Sequence, residues 1–250
     1  MSKVTGPLFK WFGSKWLSSK KLPPPEFDTI IEPFAGSAGY SLRYCRERAV
    51  LLAESDPHIL RLWSWLINDA TAALIREIPI NVKVGTDIRT LGMCRGQELL
   101  LKTWQRTNNV GNCWTVSPWG NMPGQWTANI RARVASEFHV VKDWKIYENG
   151  IELLYQQHLP EVTYFIDPPY QFNYQYKAKG IDYAKLAQCL RQKYGQVIVC
   201  EAVEPKTERV PTWLPFQPFG SRITSRRKAD CHHHSKELLY QHTLAAKVQC

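Results

Sequence analysis

The sequence predicts an α/β protein built on a mostly parallel sheet. Short apolar runs of strand length recur along the 250 residues, and amphipathic stretches of helical period separate them. A glycine-bearing turn follows the first run, as in βαβ units. With 44% hydrophobic and 22% charged residues, the chain can bury a full core, as one large domain or one domain with an insertion.

The elements follow in order. "DTIIEP" reads as a strand and "SAGYSLRYCRER" as the helix behind it. "AVLLAE" is a second strand. "PHILRLWSWLINDATAALIREI" reads as one long helix, opened by Asp56 as cap and Pro57 at the first helical position. Residues 87–142 then break the alternation. They hold Trp104, Trp114, Trp119 and Trp126 among Asn, Gly and Pro, with Arg95, Arg106, Arg131 and Arg133, and read as a helical, loop-rich insertion too aromatic for a flexible linker. Regular patterning resumes at "DWKIYENGIELL". "VTYFID" and "QVIVCEA" are further strands, and "DYAKLAQCLRQKYG" is the helix between them, closed by Gly195.

The net charge of +10 favours a polyanionic partner, most often nucleic acid, and the ten tryptophans and eleven tyrosines could stack on extruded bases. No apolar run approaches the ~20 residues that span a bilayer, and the N-terminal stretch lacks the h-region of a secretory signal, so a cytoplasmic protein without a membrane partner is expected. Seven cysteines without a CxxC pair point to reduced thiols rather than a disulfide frame or zinc cage. His232-His233-His234 would alternate faces on a strand, which makes a poor common site, so no metal is expected.

Two stretches carry chemistry. In "IIEPFAGSAGYS", Gly36 and Gly39 allow a tight turn from strand to helix, where backbone N–H groups can approach a ligand. Alone, such a turn is weak evidence of a site. The second strand ends in Glu54, at the place where an acid commonly binds ribose hydroxyls; Asp56 suits a helix cap better. In "FIDPPYQF", two prolines make a rigid exit from the sheet. Asp167 and the Pro168 carbonyl would stand as two acceptors beside the Tyr170 ring. That set suits an amino group on an aromatic ring, whose lone pair is freed when both hydrogens are gripped.

"DPPY" at Asp167–Tyr170 resembles motif IV of the amino-methyltransferases, and "EPFAGSAG" at Glu32–Gly39 resembles their motif I. "FKWFGSKW" at Phe9–Trp16 is similar to the N-terminal motif of the Dam-type (D12 class, α group) DNA adenine-N6 methyltransferases, and "SRITSRRKADCHHHSKELLY" to the basic hairpin that closes their sheet. The motif order is also that of the α group. This resemblance implies a Rossmann-like S-adenosylmethionine-dependent methyltransferase fold: a mostly parallel seven-stranded sheet with one antiparallel strand near its edge. It implies a catalytic domain of residues 1–86 and 143–250, with residues 87–142 as a target-recognition insertion.

The resemblance further implies S-adenosyl-L-methionine as cofactor, with Trp11 and Lys15 at its methionine end, Pro33 and Gly36 in the glycine loop, Glu54 on the ribose and Asp167 near both cofactor and target amine. Asp167, Pro168, Pro169 and Tyr170 become the catalytic residues. "YENGI" at Tyr147–Ile151 falls at the cofactor adenine but lacks the usual acid, leaving Asn149 and Gly150 to act through backbone. The expected partner is double-stranded DNA with one base flipped, held by Arg106, Asn109 and Asn112 in the insertion and by Arg226 and Arg227 in the hairpin. A monomer, with a cognate restriction nuclease as further partner, completes the expectation. Methylation could be site-specific or relaxed, because "RTNNVGNCWTVSPWGN" lacks the Asn-Gly-x-x-Arg pattern with which Dam reads GATC. Two other readings stay open: an RNA adenine-N6 methyltransferase, and a catalytically silent DNA-binding protein on the same fold.

Overall fold

A computed structural model describes residues 4–105, 113–156, 159, 161–172, 180–204, 206–227 and 231–245; the side chains of 156, 221–227 and 231–235 are outside that description. Strand β1 (Thr29–Glu32) is made by the apolar pair Ile30-Ile31, which alternation sends to opposite faces of the sheet. Helix α1 (Gly39–Tyr44) returns the chain to β2 (Ala49–Ala53), which pairs parallel with β1. It is shorter than the sequence suggests, because the Arg46–Arg48 stretch turns out of the helix, with Glu47 left-handed at φ 61°.

The long helix expected after Asp56 is two helices, α2 (Pro57–Asn68) and α3 (Ala72–Glu77). The Asp69 and Ala70 amides both donate to the Trp65 carbonyl, which ends α2. Thr71, extended and β-branched, then accepts the Leu74 amide on its hydroxyl and starts a new helix. The expected cap on α2 is in place: the Asp56 carboxylate accepts from the His58 and Ile59 amides.

Residues 87–142 form α4 (Arg95–Trp104) and α5 (Ala128–Glu137) with short 3-10 turns around them. Trp104, Trp114 and Trp126 join the same buried cluster as Phe9, Trp63 and Phe165, so these rings are core; Trp119 is 58% exposed. This stretch also clasps the N-terminal segment. Trp104 Nε1 donates to the Leu8 carbonyl, Arg133 donates to the Pro7 carbonyl, and Glu137 accepts from the Thr5 amide and hydroxyl.

Strand β3 (Lys145–Tyr147) leads into α6 (Gly150–Gln156), and β4 (Thr163–Ile166) is buried along its length, as a central parallel strand should be. Helix α7 (Tyr183–Arg191) closes at Gln192; Gly195, at φ 84°, instead opens β5 (Gly195–Ala202). The ribbon of β6 (Gln217–Arg227) and β7 (Cys231–Leu244) follows.

The strands assemble as β3-β2-β1-β4-β5-β7-β6, parallel except that β7 runs against both neighbours. The fold is thus the Rossmann-like one that the sequence resemblance implies, with the reversed strand next to the edge. Ile30, Phe165 and Ile198 fill the face covered by α1, α2, α4 and α5, while Ile31, Tyr164, Ile166 and Val197 fill the face covered by α6 and α7. Among the described residues no helix is long and apolar enough to cross a membrane.

Candidate active site

Strand order reverses between β1 and β4, and in open α/β sheets the crevice at the carboxyl ends of such strands is where ligands bind. β1 delivers Glu32 and the glycine loop to this edge, β2 delivers Glu54, and β4 delivers Asp167-Pro168-Pro169-Tyr170.

The N-terminal motif reaches the same place. Lys15 Nζ donates to both Asp167 oxygens, at 2.6 and 2.7 Å, and to the Gly13 carbonyl at 3.2 Å. It also lies 5.1 Å from the centre of the Tyr170 ring. Burial would lower the proton affinity of Lys15, but the negative charge of Asp167 outweighs it, so its pKa is raised above the ordinary lysine value. The resemblance assigns Lys15 to the methionine end of a cofactor; in the structure its hydrogens are directed at Asp167 and Gly13.

Both loop glycines are required by the protein itself. Gly36 is left-handed at φ 47°, and a Cβ there would sit 2.6 Å from Trp11 Cδ1. A Cβ on Gly39 would sit 2.4 Å from the Trp16 backbone nitrogen. The loop is therefore the seat of the N-terminal motif, which brings Trp11 and Lys15 beside it. The positive end of α1 is also taken: Glu32 Oε1 accepts the Ser41 amide at 2.6 Å. Burial pushes the Glu32 carboxyl up to about 8, against the pull of its bonds to Ser41.

Glu54 bridges the loop to the end of β2, accepting the Gly36 amide on Oε2 and the Asp56 amide on Oε1, each at 2.9 Å. Burial raises its pKa, while those amides pull it back. The Ser55 backbone bonds it as well, and since a carboxylate offers about four acceptor sites, one is left for a ribose hydroxyl at this strand end. Trp11, only partly buried and packed on Gly36, gives an apolar wall beside it. With an acceptor at the strand end and an apolar wall beside it, these residues fit a nucleoside cofactor.

Pro33 is buried, with its carbonyl against Gly150, where a Cβ would come within 1.7 Å of that oxygen. Asn149 is accounted for by local structure, since its side chain accepts the Ile151 and Glu152 amides at the start of α6. Arg106, Asn109 and Asn112 lie outside the described residues, as do the side chains of Arg226, Arg227 and His232–His234. The backbone register nevertheless pairs Arg226 with His232 and Arg227 with Cys231 across the β6–β7 ribbon.

Three contributors were not legible as site residues. Trp63 Nε1 donates to the Gly36 carbonyl at 2.8 Å and fixes the loop from α2. Tyr183 donates to the Pro169 carbonyl at 2.5 Å. Glu201, buried on β5, accepts the Gln171 amide just past Tyr170. The one sequence signal was an acid inside the apolar run "QVIVCEA".

No protein-family profile matches this sequence, and no curated protein matches it. Solved structures with some similarity include a "conserved hypothetical protein" of Streptococcus pyogenes, at 11% identity over 85% of this chain and 84% of that one, with a TM-score of 0.35. Another is "Putative methyltransferase yhhF from Escherichia coli", at 13% identity over 92% of this chain and 81% of that one, with a TM-score of 0.36. Similarity that low carries no assignment. The fold rests on the strand order and the reversed β7.

Proposed function

We propose that this chain is an S-adenosylmethionine-dependent DNA adenine-N6 methyltransferase acting on an adenine turned out of the duplex. The observation that carries the reading is the meeting of Lys15 with Asp167, across 152 residues of chain, at the carboxyl end of β4. The two stretches with the most distinctive resemblance thereby share one site. When bound, S-adenosylmethionine supplies a methyl group on a sulfonium, open to in-line displacement. Glu54 would hold its ribose hydroxyls, and Trp11 would pack along its methionine end.

The chain's own residues do the rest by positioning. A carboxylate only accepts, so Asp167 accepts a hydrogen bond from one N–H of the exocyclic amine and the Pro168 carbonyl accepts from the other; as the new C–N bond forms and the S–CH3 bond breaks, the surplus N6 proton is released on the Asp167 side. The amine lone pair, otherwise delocalised into the ring, is then aimed at the donor. Tyr170 lies against the base, a contact worth ~1–3 kcal/mol. Turning the base out costs a few kcal/mol, offset by the pocket that receives it.

Incubation with unmethylated genomic DNA and donor, followed by nucleoside mass spectrometry, tests the reading. N6-methyladenine in DNA is the expected product. Product confined to RNA would replace the substrate, and donor and DNA binding without product would leave a silent binding protein.

Mapping the methylated positions tests specificity. Base readout needs side chains such as Arg and Asn on base edges, each worth ~1–3 kcal/mol against a wrong base. The insertion lacks Dam's hairpin pattern, so the expected site is short or relaxed and not strict GATC. Confinement to GATC would refute that expectation and leave the activity standing.

The polymer interface has its own test. With a net charge of +10, affinity for DNA is expected to fall steeply with salt. Arg226→Ala with Arg227→Ala should weaken all sequences alike and flatten the salt slope by about one unit for each phosphate no longer engaged. A salt-independent affinity would exclude the phosphates as its main source.

A further inference from the structure

Glu201 sits near the end of β5, fully buried, and none of the motifs uses it. Its Oε2 accepts the Gln171 amide at 3.2 Å and the Trp213 indole N–H at 3.0 Å, and its Oε1 accepts the Ala202 amide at 3.0 Å. Gln171 directly follows Tyr170. On the other side of the prolines, Tyr183 of α7 ties down the Pro169 carbonyl. The exit of β4 is therefore held at two points, and one of them is a carboxylate.

We infer that Glu201 is a positioning residue for methyl transfer: its carboxylate anchors the chain after Tyr170 through the Gln171 amide and so sets where the Tyr170 ring and the Asp167 carboxylate stand. This rests on the proposed methyl transfer at Asp167–Tyr170. An ionised carboxylate accepts N–H bonds roughly twice as strongly as a neutral acceptor, so the anchor is tight when Glu201 is charged and slack when it is protonated. Burial pushes this carboxyl up to about 7, against the pull of the Ala202, Gln171 and Trp213 bonds, and the charge of Asp167 at the end of β4 adds to the rise. From α7, Tyr183 is the group that feels Glu201: its pKa is raised by burial and by the Glu201 charge. Cys200, Lys15 and Glu237 interact on the opposite face of β5, where alternation places Cys200. The anchor therefore switches within the neutral range, and it tightens as pH rises.

Two measurements on the full chain test this: hydrogen exchange at the Gln171 amide, and the pH profile of methyl transfer, for the wild type and Glu201→Gln. Wild-type protection of the Gln171 amide should rise several-fold through neutral pH, with turnover rising alongside. Glu201→Gln keeps an acceptor but not the charge, so both profiles should lose that rise, with donor KM little changed. Equal protection and equal pH profiles in the two proteins would overturn the inference. Hydrogen exchange reads the anchor without any turnover. A wild type that shows the protection change but no methylation would therefore sink the proposed activity and spare the anchor. Loss of protection at all pH values in Glu201→Gln, with a lowered melting temperature, would instead mark a packing role and overturn the positioning claim.

Discussion

Asp167→Ala is expected to lower methyl transfer at least ~10²-fold, the scale of losing one preorganised electrostatic interaction. From sequence alone this looks like a change at an exposed strand end that folding should survive. The structure says otherwise. Asp167 is 17% exposed, and it is the counter-charge of the buried Lys15 ammonium. Removing one partner of a buried pair typically costs ~3–5 kcal/mol, because the other charge is left without compensation. At about 2–4 °C per kcal/mol for a chain of this size, the melting temperature should fall visibly.

The two effects separate in Lys15→Met with Asp167→Asn, which removes both charges. Stability should return towards the wild type, while methyl transfer stays absent. Lys15 holds its proton more tightly in the folded chain than in the unfolded one. The contribution of the pair is therefore complete below the ordinary lysine value and is lost as pH rises through the higher folded value. Near-normal methylation by Asp167→Ala would sink the assignment of this carboxylate.

Gly39→Ala should weaken donor binding by displacing the backbone of the N-terminal motif, with no donor-facing side chain altered. The new methyl would sit 2.4 Å from the Trp16 nitrogen and 3.0 Å from the Lys15 carbonyl carbon, and both are backbone atoms that no rotamer change can move. Either α1 or the Lys15–Trp16 segment must shift, which carries Lys15 off Asp167 and Trp11 off Gly36. Overpacking of this kind costs typically ~1–3 kcal/mol. Calorimetry with S-adenosylmethionine should show affinity reduced by an order of magnitude or more. Gly220→Ala, where a Cβ meets nothing within 4 Å, is the matched control and should stay within ~0.5 kcal/mol of the wild type. Unchanged donor affinity in Gly39→Ala would show that the N-terminal motif does not form the donor pocket.

The sequence by itself determined four of the strands, because each is a short apolar run whose alternation or continuity leaves little choice of element: β1, β2 and β4 fall within the stretches read as strands, and β5 does so apart from Gly195, which reads as a helix end. It also determined the cap at Asp56, since capping is a local property. The division of the helix at Thr71 was not legible, because its apolar period runs on through the break. Nor was the fate of the tryptophans at 104, 114 and 126, which could face a ligand or the core until the tertiary packing placed them in the core.

Only the tertiary structure decided the partners of the charged groups. Lys15 and Asp167 are 152 residues apart in sequence, Glu201 and Gln171 are 30 apart, and Trp63 and Gly36 are 27 apart. No local pattern encodes such pairings. They arise because parallel strands carry their carboxyl ends to one edge, where burial forces each charge and each N–H to find a partner.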